Sequence, residues 1–137
     1  MPGDAAQLPI LTQFLQEFWS AAGLPPDAAL QFELALEEVF MNVVMHGSPA
    51  GRAARIAVTL VVADDALTLL IEDDGPPFDP LSRAAPDLTA SLEARRVGGL
   101  GVHLVRQMMD TVSYQRLGAC NQLRMTKHVA ASRKDPV

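Results

Sequence analysis

One cysteine, Cys120, is all the thiol chemistry the chain has. That excludes an internal disulfide and any cysteine-based metal cluster, and it agrees with a reducing cytosol. Cys120 itself reads as a small strand residue. Basic residues are also scarce: 11 Lys and Arg against 16 Asp and Glu give a net charge of -5, and no run of Lys or Arg forms a stripe. A nucleic-acid backbone would meet no electrostatic footprint, so no nucleic-acid partner is expected. No apolar run approaches the roughly 18 residues that suggest a membrane span, and no basic segment precedes one at the start. The expectation is a soluble, cytoplasmic protein with no membrane partner.

What is present is material for a core. Of the 137 residues, 49% are apolar, enough for a single domain over 1–137 to bury its interior without a disulfide or structural metal. Asp4 can cap a helix over residues 5–22, where Leu8, Leu11, Phe14, Leu15, Phe18 and Trp19 follow helical spacing and Gly23 supplies the stop. Pro25 and Pro26 open a second helix that runs to His46, before Gly47, Ser48 and Pro49. RIAVTLVVADDALTLLIEDD then holds two β-branched and leucine-rich runs split at Asp64 and Asp65, an antiparallel hairpin.

Residues 74–97 are rich in Pro, Asp, Ser, Arg and Ala without a sustained period. A connection that long inside a compact domain is either disordered or a functional lid. A helix over 100–110 follows, and TVSYQRL and NQLRMTKHV alternate as a second hairpin. The order predicts an α+β two-layer sandwich: a mainly antiparallel, mixed sheet with helices on one face. Gln122, Arg124, Thr126 and His128, alternating with Leu123, Met125 and Val129, mark the solvated face.

Three stretches carry more than packing. In LALEEVFMNVVMHGS, Glu38 and Asn42 interrupt an apolar helix. Successive helix residues turn by about 100°, so the two project from nearly one line, one turn apart. They form either the helix's wet flank or a functional pair. His46, a further turn on, either joins that flank or favours the dipole at the helix C-terminus.

In IEDDGPPFDP a strand ends at Asp73, Asp74 and Gly75. It is an ordinary turn, or else a site where Asp73 accepts a hydrogen bond from an exocyclic amine and Gly75 lets a flat ligand approach without meeting a Cβ. In VGGLGVHLVRQMMD, Gly98, Gly99 and Gly101 lead into a helix, where Ser, Thr or Asp would cap better. Glycines there either make a hinge or expose N–H groups to a phosphate at the positive end of a helix dipole. No G-x-x-x-x-G-K-[ST] occurs, and the glycines follow a loop instead of a strand, so neither a P-loop nor a dinucleotide fingerprint fits.

A helix with E-x-x-x-N, a strand end with D-x-G and a loop closing on G-x-G before a helix, in that order, resemble the GHKL ATPases, the superfamily of gyrase and histidine-kinase ATP-binding domains. The spelling is most similar to the anti-sigma-factor serine/threonine kinases: EEVFMNVVMHG resembles their N box, and DDGPPFD and GGLGVHLVRQMMD resemble their two glycine boxes. The resemblance implies a Bergerat-type fold that binds ATP and Mg²⁺. It casts Asn42 as the Mg²⁺ ligand, Glu38 as the general base and Asp73 as the acceptor for the adenine amine, with Gly75 lining the purine site. His46, Arg96, Gly98, Gly99, Leu100, Gly101 and Val102 complete the implied ATP contacts, although Arg95 and Arg96 also read as an exposed basic pair.

The implied partners are a small antagonist protein that is phosphorylated and a sigma factor that is bound, with a homodimer left open. One departure stands out: those kinases begin with a strand, whereas here a helix starts by about residue 5. The expectation is a missing first strand and an unpaired sheet edge. The competing reading is a non-catalytic module that uses nucleotide only to set its shape, against which Glu38 counts. A histidine-kinase ATPase part is disfavoured because no long helix carries a phospho-accepting histidine.

Overall fold

The computed structural model describes residues 1–47, 49, 51–82 and 100–129. Asp4 caps the chain's first turn, its Oδ1 accepting from the Ala6 N–H at 3.0 Å. That turn, Ala5–Gln7, is a 3₁₀ turn, and the α-helix α1 (Leu8–Ala21) starts at its end. Pro9 explains the change, since it has no N–H to bond the carbonyl four residues back. Leu11, Leu15 and Trp19 face inward, and Gly23 (φ 63°) ends the helix in the left-handed region that glycine enters freely.

A 3₁₀ turn at Pro26–Ala28 leads into α2 (Ala29–His46). This helix buries Phe32, Ala35, Leu36, Val39, Phe40 and Val43 on one face. Each large side chain so buried contributes about 1.5–3 kcal/mol. The Trp19 and Phe32 rings lie 5.5 Å apart, and Trp19 Nε1 donates to the Pro25 carbonyl at 2.9 Å, which holds α1 against α2.

β1 (Ile56–Ala63) and β2 (Ala66–Asp73) form the first hairpin. Asp64 and Asp65 both have positive φ, 53° and 59°, the pattern of a type I′ turn, whose twist matches the flanking strands. After α3 (Leu100–Met108) come β3 (Thr111–Leu117) and β4 (Cys120–His128). The sheet order is β1-β2-β4-β3, and all three pairings are antiparallel. Ile56, Leu67, Leu69, Ile71, Leu123 and Met125 line its inner face beneath the helices, joined by Val105 and Met109 from the α3 side. Arg124 and His128 point to solvent, as the alternation predicts.

The expected unpaired edge is shortened by the chain's first residues. Pro2 bridges Arg55, Met1 exchanges hydrogen bonds with Ile56 (2.9 and 2.8 Å), and the Gly3 N–H donates to the Ala54 carbonyl at 2.6 Å. Past Ile56, no described strand lies beside β1.

Candidate functional site

The topology makes β2 and β4 neighbours although α3 and β3 separate them in sequence, and their register sets Asp73 opposite Asn121. Both side chains face inward and are nearly closed off, at 7% and 4% exposed. Asn121 spends its whole amide on the protein. Its Nδ2 donates to Asp73 Oδ1 at 2.9 Å and to the Pro76 carbonyl at 2.8 Å. Its Oδ1 accepts from the Phe78 N–H at 3.3 Å, from Arg116 Nη1 at 3.2 Å and from the Tyr114 hydroxyl. Two acceptors on one side and three donors on the other leave only one way for the amide to point. Asp73 Oδ1 takes a second donor, the Gly75 N–H at 2.9 Å, and Arg116 also holds the Gly75 carbonyl at 2.8 Å. Asp73 Oδ2 accepts from no described residue.

Beneath this network lies a small cavity of about 20 Å³, room for roughly one water molecule. Val39, Asn42 and Val43 of α2 form one wall, and Asp73, Tyr114 and Asn121 of the sheet form the other. Asn42 and Asp73 thus line one cavity. The Asn42 side chain is half-buried and has no hydrogen-bond partner among the described residues. Glu38 sits one turn earlier on the same flank, exposed and outside the cavity's lining. Partial desolvation, and after it the charge of adjacent Glu37, raise its carboxyl above the ordinary value of 4.5. His46, in the last turn of α2, stacks on Phe78 with ring centroids 5.9 Å apart. That contact links the end of α2 to the segment that follows the D-x-G.

Asp74 points the other way. It forms an ion pair with Arg52 at 3.0 Å, accepts from the Arg55 N–H at 2.7 Å, and donates its own N–H to the Arg55 carbonyl at 3.2 Å. The Arg52 hydrogen bond, followed by that from Arg55, holds its carboxyl below the ordinary 3.8. The two adjacent aspartates therefore divide the work: Asp73 faces the cavity and Asp74 pins the loop after α2.

Gly75 is glycine for a reason the sequence did not reveal. A Cβ there would run into the Gly47 carbonyl group, with Asp73 Oδ1 a further 3.0 Å neighbour. The Gly47 backbone occupies the space a Cβ would take, and Gly75 is not among the residues lining the cavity. Leu100, Gly101 and Val102 form the first turn of α3. Arg96, Gly98 and Gly99 lie outside the described residues, as does most of the 74–97 loop. The described part of that loop is anchored, since Arg106 of α3 donates to the Leu81 carbonyl at 2.7 Å.

The residues that sequence reading missed are Asn121, Tyr114 and Arg116. The signal was there: 121 is in phase with Leu123 and Met125, so a polar residue held an inward position. Arg116 and Tyr114 are likewise in phase with Val112.

A family model described as the histidine kinase-like ATPase domain matches residues 1–127. The chain is 36% identical over 118 residues to the serine/threonine-protein kinase BtrW of Bordetella bronchiseptica, covering 85% of this chain and 78% of that one. It is 27% identical over 135 residues to the serine-protein kinase RsbW of Staphylococcus aureus, covering 94% and 84%. Among solved structures, the histidine kinase domain of the blue-light activated histidine kinase from Erythrobacter litoralis shares the fold, with a TM-score of 0.54 at 17% identity. That likeness covers 94% of this chain and 62% of the other. With the order of its boxes, its sheet topology and these relatives in agreement, the chain belongs to the histidine kinase-like ATPase domain family.

Proposed function

We propose that the protein is an ATP-dependent serine/threonine kinase of the anti-sigma-factor type, which phosphorylates a small antagonist protein and binds a sigma factor. The observation that carries the reading is the pairing across one cavity: the unpartnered Asn42 amide on α2 faces Asp73 on the sheet, and Glu38 lies one turn from Asn42 on the same flank. The kinases among its relatives support the choice of reaction.

Asp73 Oδ2 accepts the exocyclic amine of adenine. The residues fit Mg²⁺ as an ion taking one protein oxygen, that of Asn42, and the rest from phosphates and water. No group of three or more His, Cys, Asp or Glu side chains suited to a metal occurs among the described residues, so an all-protein cage is not the alternative. When bound, Mg²⁺ supplies charge compensation to the phosphate oxygens. Glu38 takes the proton of a seryl or threonyl hydroxyl as its oxygen bonds the γ-phosphorus. The bond from that phosphorus to the β,γ-bridging oxygen breaks, and ADP leaves with the electron pair.

Exposure of Glu38 suits this role, because the hydroxyl arrives on another protein and must reach the base from outside. The test is transfer of labelled γ-phosphate to antagonist proteins encoded nearby, with Asn42→Ala as the control. Transfer by the wild type and its loss in the variant supports the reading. Tight ATP binding without transfer to the true partner overturns it in favour of the non-catalytic module.

A further inference from the structure

A carboxylate alone does not choose adenine. Guanine presents two adjacent donors, its ring N1–H and its 2-amino group, and a carboxylate with both oxygens open accepts them together. Whether a carboxylate at a base site selects a 6-amino purine or a guanine therefore depends on how many of its oxygens the protein leaves open, and in which direction.

In this site the protein closes one of them. Asp73 Oδ1 already accepts from Asn121 Nδ2 and from the Gly75 N–H, both at 2.9 Å. Asp73 lines the cavity, and its Oδ2 has no described donor. The amide that holds Oδ1 has nothing left for a ligand, since its second N–H goes to Pro76 and its oxygen accepts from Phe78, Arg116 and Tyr114. Asn121 therefore acts on a ligand only through Asp73, and its five partners keep its plane from turning.

We infer that Asn121 is a positioning residue that sets base selectivity: by occupying Asp73 Oδ1 it leaves a single acceptor in a fixed direction, which matches one 6-amino donor and cannot accept the paired donors of guanine. Tyr114 and Arg116 are the props of this device. The inference rests on the proposed adenine site at Asp73.

The experiment measures dissociation constants for Mg-ADP and Mg-GDP by calorimetry on the full chain, for the wild type, Asn121→Ala and Asn121→Leu. The wild type should prefer ADP. In both variants ADP binding should weaken about tenfold or more, the scale of one hydrogen bond to a charged group. GDP binding should fall less than ADP binding, because only the Gly75 N–H then holds Asp73 Oδ1 and the direction of Oδ2 is no longer fixed. Asn121→Leu keeps the volume of the side chain while removing both amide donors, so it serves if the alanine variant does not fold.

A purely structural role predicts that ADP and GDP affinities fall by the same factor, and that result overturns the inference. So does unchanged selectivity in a folded variant. A wild type that binds neither nucleotide overturns the adenine site as well. One that binds ADP selectively beside variants that keep that selectivity overturns this inference alone.

Discussion

The two walls of the cavity are built on opposite plans. On the sheet wall, Asp73 and Asn121 are buried and bonded, inside a network that reaches Gly75, Pro76, Phe78, Tyr114 and Arg116. On the helix side, Asn42 lines the cavity and Glu38 stands one turn outside it, both with no side-chain partner among the described residues. The sheet wall is part of what holds the fold together, because a buried polar group that loses its partner costs about 1–3 kcal/mol. Beside the core residues Val39 and Val43 of the same helix, the Glu38 and Asn42 side chains are tied to nothing described and are free to serve a ligand. Under the proposed function, selectivity sits where the structure is stiff, and chemistry sits where substitution is cheap.

That contrast breaks most sharply at Glu38. Glu38→Gln should reduce phosphoryl transfer about 100-fold or more, as loss of a general base does, while the thermal unfolding midpoint stays close to that of the wild type. A large drop in the midpoint would mean the helix wall is structural after all. Gly75→Ala tests the other wall. Its Cβ would meet the Gly47 backbone, which has no side chain to move aside, so stability should fall by about 3 kcal/mol, at the upper end of overpacking costs. Urea denaturation measures it. Tyr114→Phe removes one of three donors to Asn121 Oδ1 and should cost about 1 kcal/mol by the same assay.

Smaller effects come from charge. Glu37 helps keep the Glu38 carboxyl above 4.5, so Glu37→Gln should move the acid limb of the activity profile to lower pH, with little change at the plateau. For stability the sign is opposite to that of a paired carboxylate. A group with a raised folded pKa favours the fold below its unfolded value, and that contribution is lost as pH rises through the folded value. Glu38→Gln should therefore flatten the fall in stability just above pH 4.5. Asp74 behaves in the reverse sense: its depressed pKa stabilises above 3.8 and is lost as pH falls through the lower folded value. Arg52→Ala should weaken that acid dependence, and added salt should shrink the difference.

Much of the architecture was readable because local signals agreed with the packing. Asp4, Gly23 and the Pro25–Pro26 pair mark the helix starts and stops, and the turn at Asp64 and Asp65 lies where two strand patterns meet. The Glu38–Asn42 flank was readable for the same reason, since helical spacing carries geometry. The D-x-G was readable as a position, and the packing contact that Gly75 makes was not. Gly75 answers to Gly47, which lies 28 residues earlier, and no local pattern reports a contact at that separation. Asn121 was hidden differently. It opens the run NQLRMTKHV just after the hairpin turn, and only the strand register with β2 shows what its amide holds.

The meeting of Gly47 and Gly75 leaves backbone against backbone, with no side chain between helix end and strand end. Elsewhere in a protein, two walls can drift apart or close in as the rotamers between them change. Here nothing sits in the joint to change. The end of α2 and the end of β2 are consequently held at one spacing, whatever rotamers the side chains around them adopt.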